Sequence, residues 1–569
     1  MALVALCREE YVAFYLKKTK LKGRTYLSID ESFYSPKKKG TAHRCFKSLG
    51  SVETLMENGM EDPIAHFQQE VDRLNQERAN KGRKQISDVS PLLYLGYFPL
   101  ANILAKLKIK KYVDYFKLTN DFKFDLYELL AGLIFARAVN PCSKYRTFHE
   151  VLPLLYEKQD LSYDQLLDGL AFLGENYQKF IEIFTVATVA VYGLDTSNTY
   201  FDGTNFYFEI DREDDFRKKG PSKENQRTPI VGLGLLLDKN QIPIDMRMYN
   251  GNESEKPVLR NVLEDLRQQN NISGRTVVVA DKGLNCAQNI AFAKQNGHGY
   301  IFSKSVKGLP EKELAWVLLP DGFRAVKNGR GQTLYFYKSC VDEFPYTFEH
   351  EGRNITVRLR EKRLVVYNPV SAAKKRHEIN RMVEKAHRLT LSGAKRNSFG
   401  EAGKYIKYTG GDGGKAVISI NQENIEADLR LAGYNLLVTS EVRMSDRDIY
   451  ETYHNLWRIE ESFKIMKSDL DARPVFLQKR ETIQGHFLIC YLTVLLERIF
   501  QFKVLENEFS TEEIFEFIRK FRVVKSEHRY INLATNSNFI RSLADKFRLP
   551  LTSYYLTESQ IKSLLKHKI

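Results

Sequence analysis

The run "TYFDGTNFYFEI" (Thr199–Ile210) decides how the chain is read. It is dense in aromatic and β-branched residues, and two runs of similar texture follow it: "PIVGLGLLLD" (Pro229–Asp238) and "IPIDMRMYNG" (Ile242–Gly251), with a turn at Lys239-Asn240 between them. Three such runs predict an antiparallel meander. A helical pattern, "KPVLRNVLEDLRQQN", then leads to the apolar run "RTVVVAD" (Arg275–Asp281), a second helical stretch from about Cys286, and the strand "GYIFSKSV" (Gly299–Val306).

The order β-β-β-α-β-α-β predicts an α/β fold with an RNase H-like mixed-sheet core, in which a meander passes through helical crossovers into parallel strands. Two aspartates stand out in it. Asp202 lies inside the first strand between Phe201 and Gly203, where a carboxylate is costly unless paired or metal-bound. Asp281 ends the fourth strand, and ligand sites of open α/β sheets gather at such carboxyl ends. Taken singly, each aspartate also fits a capping or hydrogen-bonded role at a strand end.

The strand "AGYNLLVTS" is expected to resume this core, followed by "YETYHNLWRIEESFKIMKSDLDARP" (Tyr450–Pro474) as a helix. Ser445 is its expected N-cap, with Asp448 at the third helical position, and Arg473-Pro474 its stop. On a continuous helix Tyr453, Glu460 and Lys467 share one stripe, Lys464 joins it, and Glu461 points about a quarter turn away. Spacing alone equally suits a surface helix laced with Glu-Lys pairs. The convergence of Asp202, Asp281 and Glu460 on one core separates the two readings.

The flanks divide around this core. Residues 1–85 suggest a β-rich arm and helix carrying Lys37, Lys38 and Lys39 at a turn, and 86–196 a helical domain suited to DNA binding. The core occupies 197–306 and 431–480, interrupted by a β-rich insertion at 307–430, and 481–569 reads as a C-terminal helical region. "TGGDGGKAV" (Thr409–Val417) lacks the spacing of a phosphate loop and has Ala416 where Ser or Thr would be needed. His486 reads as a satisfied core histidine, and Trp457 as packing its helix on the sheet.

Among 569 residues, 86 Lys and Arg outnumber 71 Asp and Glu, a net charge of +15 that favours a polyanionic partner. The six cysteines are scattered and form no C-x-x-C pair, which points to free thiols in a reducing compartment. The opening "MALVALCREEYVAF" has no basic leader, and the longest apolar run, "FLICYLTVLL", is too short to span a bilayer. A soluble cytosolic protein with no membrane partner is expected.

Together, "YFDGTNFYF", "VVVADKGLN" and "YHNLWRIEESFKIMK" resemble the DDE transposases of bacterial insertion sequences, in particular the group with a β-rich insertion before the final Glu and a Tyr-Arg-Glu-Lys signature helix. Tyr453, Glu460 and Lys467 are in register with that signature, while Leu456 holds the Arg position and Arg458 projects elsewhere. The segments "ARAVNPCSKYRTF" and "RPVFLQKRETIQGHFLICYL" also resemble flanking parts of such transposases, as does the long spacer from Asp281 to Glu460.

The resemblance implies metal-dependent cleavage at transposon ends and transfer of the freed 3′-hydroxyl into target DNA, in the bacterial cytosol or nucleoid. Asp202, Asp281 and Glu460 would be the catalytic and metal-holding residues, for two Mg²⁺ ions with Mn²⁺ as a possible substitute. Tyr453, Lys464 and Lys467 would contact DNA, and a homodimer would bring two ends into a synaptic complex. The rivals are a structure-specific nuclease of the same fold, which cuts without joining, and a non-enzymatic DNA-binding regulator in which the carboxylates are structural.

Overall fold

The computed structural model describes residues 13–35, 40–81, 91–221, 227–268, 274–350, 352–391, 400–409, 417–526 and 528–569. Lys37–Lys39, Cys7 and Gly410–Ala416 of the glycine-rich stretch lie outside them. The chain forms two compact units, Met1–Pro91 and Leu92–Ile569.

In the first unit, β1 (Ala13–Leu21), β2 (Arg24–Ser35) and β3 (Gly40–Ser51) form an antiparallel sheet in that order. Lys22 and Gly23, both with positive φ, close the β1–β2 hairpin in the backbone twist that tight hairpins require. The helix α1 (Pro63–Lys81) is tied to the sheet by Asn75, whose side chain accepts from Phe14 N and donates to Phe14 O, both at 2.9 Å. Arg44 and Arg78 neutralise the buried Glu31 from two sides, at 2.5 and 3.0 Å.

The second unit is built on a nine-stranded sheet. Its first half is the predicted meander, β4 (Asn198–Tyr207), β5 (Ile230–Leu237) and β6 (Pro243–Asn250), then the parallel strands β7 (Val277–Ala280) and β8 (Gly299–Lys304). In space these run β6-β5-β4-β7-β8, with β4, β7 and β8 parallel and β5 antiparallel, which is the RNase H-like arrangement. Then β12 (Tyr434–Thr439) pairs antiparallel with β8, as the strand expected to resume the core.

The segment between β8 and β12 also supplies β9 (Arg324–Lys327), β10 (Thr333–His350) and β11 (Arg353–Tyr367). These strands continue the core sheet past β12, in the order β9-β10-β11-β12. The long β10–β11 hairpin is in unbroken register from Phe336↔Tyr367 to His350↔Arg353, but only Lys362–Tyr367 of it pairs with β12. The same stretch carries helices at Glu311–Leu318, Pro369–Leu391 (α5) and Gln422–Leu431 and a small antiparallel strand pair, Ile406–Thr409 with Val417–Ile420.

Strand alternation sends Phe201 to one face and Tyr200 and Phe206 to the other. The Phe201 face is covered by α3 (Glu255–Gln268) and α4 (Ala287–Gln295). The opposite face packs on the helical flanks, including α2 (Leu126–Val139) and a helix at Arg480–Ile499 that is buried almost throughout. The apolar run "FLICYLTVLL" is thus core, and no described helix is long and apolar enough to cross a membrane. Gly174 and Gly485 let neighbouring helices touch, since a side chain at either would run into the main chain of Glu481 or Leu170.

Helices dominate both flanks, yet Leu92–Tyr94 pairs with Arg522–Ser526 in a four-stranded sheet completed by Arg529–Asn532 and Tyr555–Thr557. The sequence pattern did not indicate these strands. His486 is buried with Nε2 3.1 Å from the Ala472 carbonyl and Nδ1 3.3 Å from the buried Lys144 Nζ, the satisfied core histidine expected. The five described cysteines are free thiols.

Candidate active site

The register that pairs Phe201 with Ala280 sets the next residues of the two parallel strands, Asp202 and Asp281, side by side. Strand β7 stops at Ala280, so Asp281 stands at the start of a turn where its carboxylate is released from the ladder. Asp202 Oδ1 accepts from Gly203 N at 2.8 Å, and Asp281 Oδ1 accepts from the Tyr453 hydroxyl at 3.0 Å.

The third carboxylate comes from the segment after β12. Ser445 caps it as expected, with Oγ accepting from Asp448 N at 3.1 Å. The predicted single helix is instead two: α6 (Asp446–His454) and α7 (Trp457–Lys464), parted by a turn at Asn455-Leu456 and followed by a wider turn at Ile465–Asp469. Around the break Leu456 N donates to Tyr453 O and Ile459 N to Leu456 O, three residues back rather than four, which tightens the winding. The helical run also ends before Arg473-Pro474.

Despite that break, Asp202, Asp281 and Glu460 line one cavity of about 480 Å³ with Tyr453, His454, Leu456 and Trp457. Glu461 turns away, its Oε2 3.4 Å from Arg498 Nη2. Lys464 lies one turn past Glu460 on α7 but does not line this cavity. It lies three residues past Glu461 and four past Glu460, and it lines a separate pocket with Glu461 and Asp469, whose carboxylate attracts it. Lys467 Nζ sits 5.5 Å from the Phe206 ring centroid and is not part of the cavity lining. Trp457 corrects a second expectation: it is 50% exposed at the cavity rather than packed on the sheet. Arg458 reaches Gln241 and stands 5.7 Å over the Trp457 ring centroid, while Leu456 faces the cavity from the position the family signature gives to Arg.

A second cavity, about 730 Å³, shares Asp281, Tyr453 and His454 with the first and is lined by Lys282, Lys304, Lys307, Lys375 and Lys404. No sequence signal gathers these lysines, which come from the β7 and β8 ends, from α5 (Pro369–Leu391) and from the segment before β12. Burial, then the nearby Arg363 charge, lowers Lys304 to about 8. Burial, then the Asp281 charge, raises the Tyr453 phenol, which stays a proton donor at neutral pH. His454 is lowered by burial.

In kind, the three carboxylates fit a hard divalent cation, because every donor is an oxygen. They are not drawn onto a common point: among the described residues no three His, Cys, Asp or Glu side chains form a group that could hold a metal ion.

A model of the transposase DDE domain matches residues 195–496, spanning all three carboxylates. The chain belongs to this transposase family. Divalent metal ions are generally used by DDE transposases. One solved structure, described as a cryo-EM structure of piggyBac transposase synaptic complex with hairpin DNA, is similar at 11% identity and a TM-score of 0.37, over 75% of this chain and 79% of that chain. The fold of this transposase-family chain is carried by its strand order, not by that likeness. No curated protein matches it.

Proposed function

We propose that the chain is a DNA transposase that hydrolyses phosphodiester bonds at the ends of a mobile element and joins the freed 3′-hydroxyls to target DNA. The observation that carries this reading is the meeting of Asp202, Asp281 and Glu460, distant in sequence, on one cavity beside a lysine-lined one.

Asp202, Asp281 and Glu460 would hold two Mg²⁺ ions, or Mn²⁺ in their place. Such ions, when bound, stabilise the entering and leaving oxygens of an in-line displacement at phosphorus. Tyr453 orients the Asp281 carboxylate through its hydroxyl. The lysines of the larger cavity attract the phosphate backbone, and the half-exposed Trp457 offers a face on which an unpaired base can stack. Lys464 and Lys467 contact DNA farther along the duplex. Two copies of the chain act together, one at each end.

The test incubates the full chain, Mg²⁺ and labelled DNA from both flanks of its coding region. Nicked ends and joined products are expected from the wild type, with both lost in Asp202→Asn, Asp281→Asn and Glu460→Gln while thermal unfolding stays cooperative. Nicks without joined products would leave a structure-specific nuclease, and full function in all three variants would leave a DNA-binding regulator.

A further inference from the structure

Two segments that the carboxylate triad leaves unused, "ARAVNPCSKYRTF" (Ala136–Phe148) and "RPVFLQKRETIQGHFLICYL" (Arg473–Leu492), meet at a cavity of about 70 Å³. Arg137, Ser143 and Lys144 line it from the first segment, Phe476 and His486 from the second. Arg137 and Lys144 are almost fully buried, 5% and 6% exposed.

Arg137 Nη1 donates to Leu470 O at 3.3 Å and Nη2 to Cys142 O at 3.0 Å. His486 Nε2 lies 3.1 Å from the Ala472 carbonyl, which can only accept, so Nε2 carries the hydrogen. Burial, then the charges of Lys144 and Arg137, keep this ring neutral, and its bare Nδ1 accepts from Lys144 Nζ at 3.3 Å. Every one of these partners is uncharged. Among the described residues neither cation pairs with a carboxylate: Asp471 lines the cavity but is exposed to solvent and bridges to neither.

Two buried cations without a counter-charge are costly. The cost shows in Lys144, which burial and then the Arg137 charge lower to about 7. On the scale of this cavity one water takes about 10–15 Å³, so there is room for a tetrahedral oxyanion and none for a nucleotide.

We propose that Arg137 and Lys144 form a binding site for one tetrahedral oxyanion, a phosphate or sulfate group, that neutralises the buried pair. The site does not depend on the triad reading. It is joined to Glu460 through the chain, because Leu470 and Ala472, whose carbonyls Arg137 and His486 hold, follow the wide turn after α7. A free inorganic anion and a phosphate of DNA present the same oxygens to it.

The test follows radiolabelled sulfate by equilibrium dialysis on the full chain, at fixed ionic strength and without metal or DNA. Saturable binding is expected, weakened by about tenfold or more in Lys144→Met, which keeps the volume and removes the charge. Calorimetry in buffers of different ionisation enthalpy reads the lysine itself, since sulfate does not titrate near neutrality. At about pH 7.5 roughly three-quarters of a proton should be taken up per sulfate, as Lys144 passes from mostly neutral to charged. A Lys144 that only braced His486 would give no such uptake. Equal affinity in the wild type and Lys144→Met, or binding without uptake, overturns the proposal. Loss of binding in Lys304→Gln but not in Lys144→Met places the anion in the larger lysine-lined cavity and overturns it too. Should Lys144→Met fail to fold, Lys304→Gln decides: saturable sulfate binding with the same uptake supports the site, and its absence overturns it. Duplex DNA from the ends of the element, with and without a 5′-phosphate, then separates the sources. Displacement of sulfate by both duplexes supports the site as one for a backbone phosphate, displacement by the phosphorylated duplex alone as one for a strand end, and retention beside both as one for a free anion.

Discussion

The Tyr453 hydroxyl donates to Asp281 Oδ1 at 3.0 Å across 172 residues of sequence, fastening α6 to the end of β7. It joins the two halves of the sheet core on either side of the inserted segment. Tyr453→Phe keeps the ring and removes only the bond. Its cleavage rate is expected to fall about tenfold, as for other changes to groups that orient a ligating side chain. DNA affinity should stay close to that of the wild type, as read by single-turnover kinetics and a binding titration.

Adjacent carboxylates on α7 should separate cleanly. Glu460→Gln is expected to abolish cleavage with little change in melting temperature, because the side chain faces an open cavity. Glu461→Gln should leave cleavage intact and lower the melting temperature slightly, since Glu461 pairs with Arg498, whose side chain is almost fully buried. The reverse pattern would move the site to the other face of α7.

Trp457 and Leu456 bear on DNA rather than on folding. Trp457→Ala should weaken binding of DNA with an unpaired end by roughly 1–3 kcal/mol, the worth of one stacked base, and leave thermal stability unchanged. Leu456→Arg places a cation at the cavity and should steepen the salt dependence of binding by about one phosphate contact, read from the slope of log affinity against log salt.

Lys304 gives binding a pH dependence of definite sign. Lowered to about 8, it is protonated below that pH and loses its charge above it. Wild-type affinity for DNA should therefore fall between pH 7 and pH 9 more steeply than that of Lys304→Gln, in fluorescence anisotropy titrations at fixed salt.

Glu497 gives stability one as well. Full burial, offset first by Arg498, raises its carboxyl to about 7, above the value for an unfolded chain, so the native state binds the extra proton. Stability from this group is present at low pH and lost as pH rises through 7. Glu497→Gln should gain stability relative to the wild type by about 1–3 kcal/mol from pH 5 to pH 8, in urea unfolding curves.

Much of the core could be read from local texture. The meander, the strand ending at Asp281 and the Ser445 cap each depend on residues within a few positions of one another. The break at Asn455-Leu456 could not be read, because neither Gly nor Pro marks it and the helical stripe continues across it in the sequence. The exposure of Trp457 is hidden from the sequence for the same reason: where an aromatic residue falls on the stripe depends on the winding before it. The pairing of Leu92–Tyr94 with Arg522–Ser526 joins segments far apart in the chain, and short strands carry no periodicity long enough to declare a partner.

The β10–β11 hairpin is an arm whose base is hydrogen-bonded into the catalytic sheet and whose outer ladder has no β12 alongside. Lineages can therefore lengthen or shorten it at the tip, two residues per strand at a time, without reversing which side chains point up or down at its root. Variation in reach is then heritable independently of the chemistry, so related chains should differ most in the size of this arm and least where it joins β12.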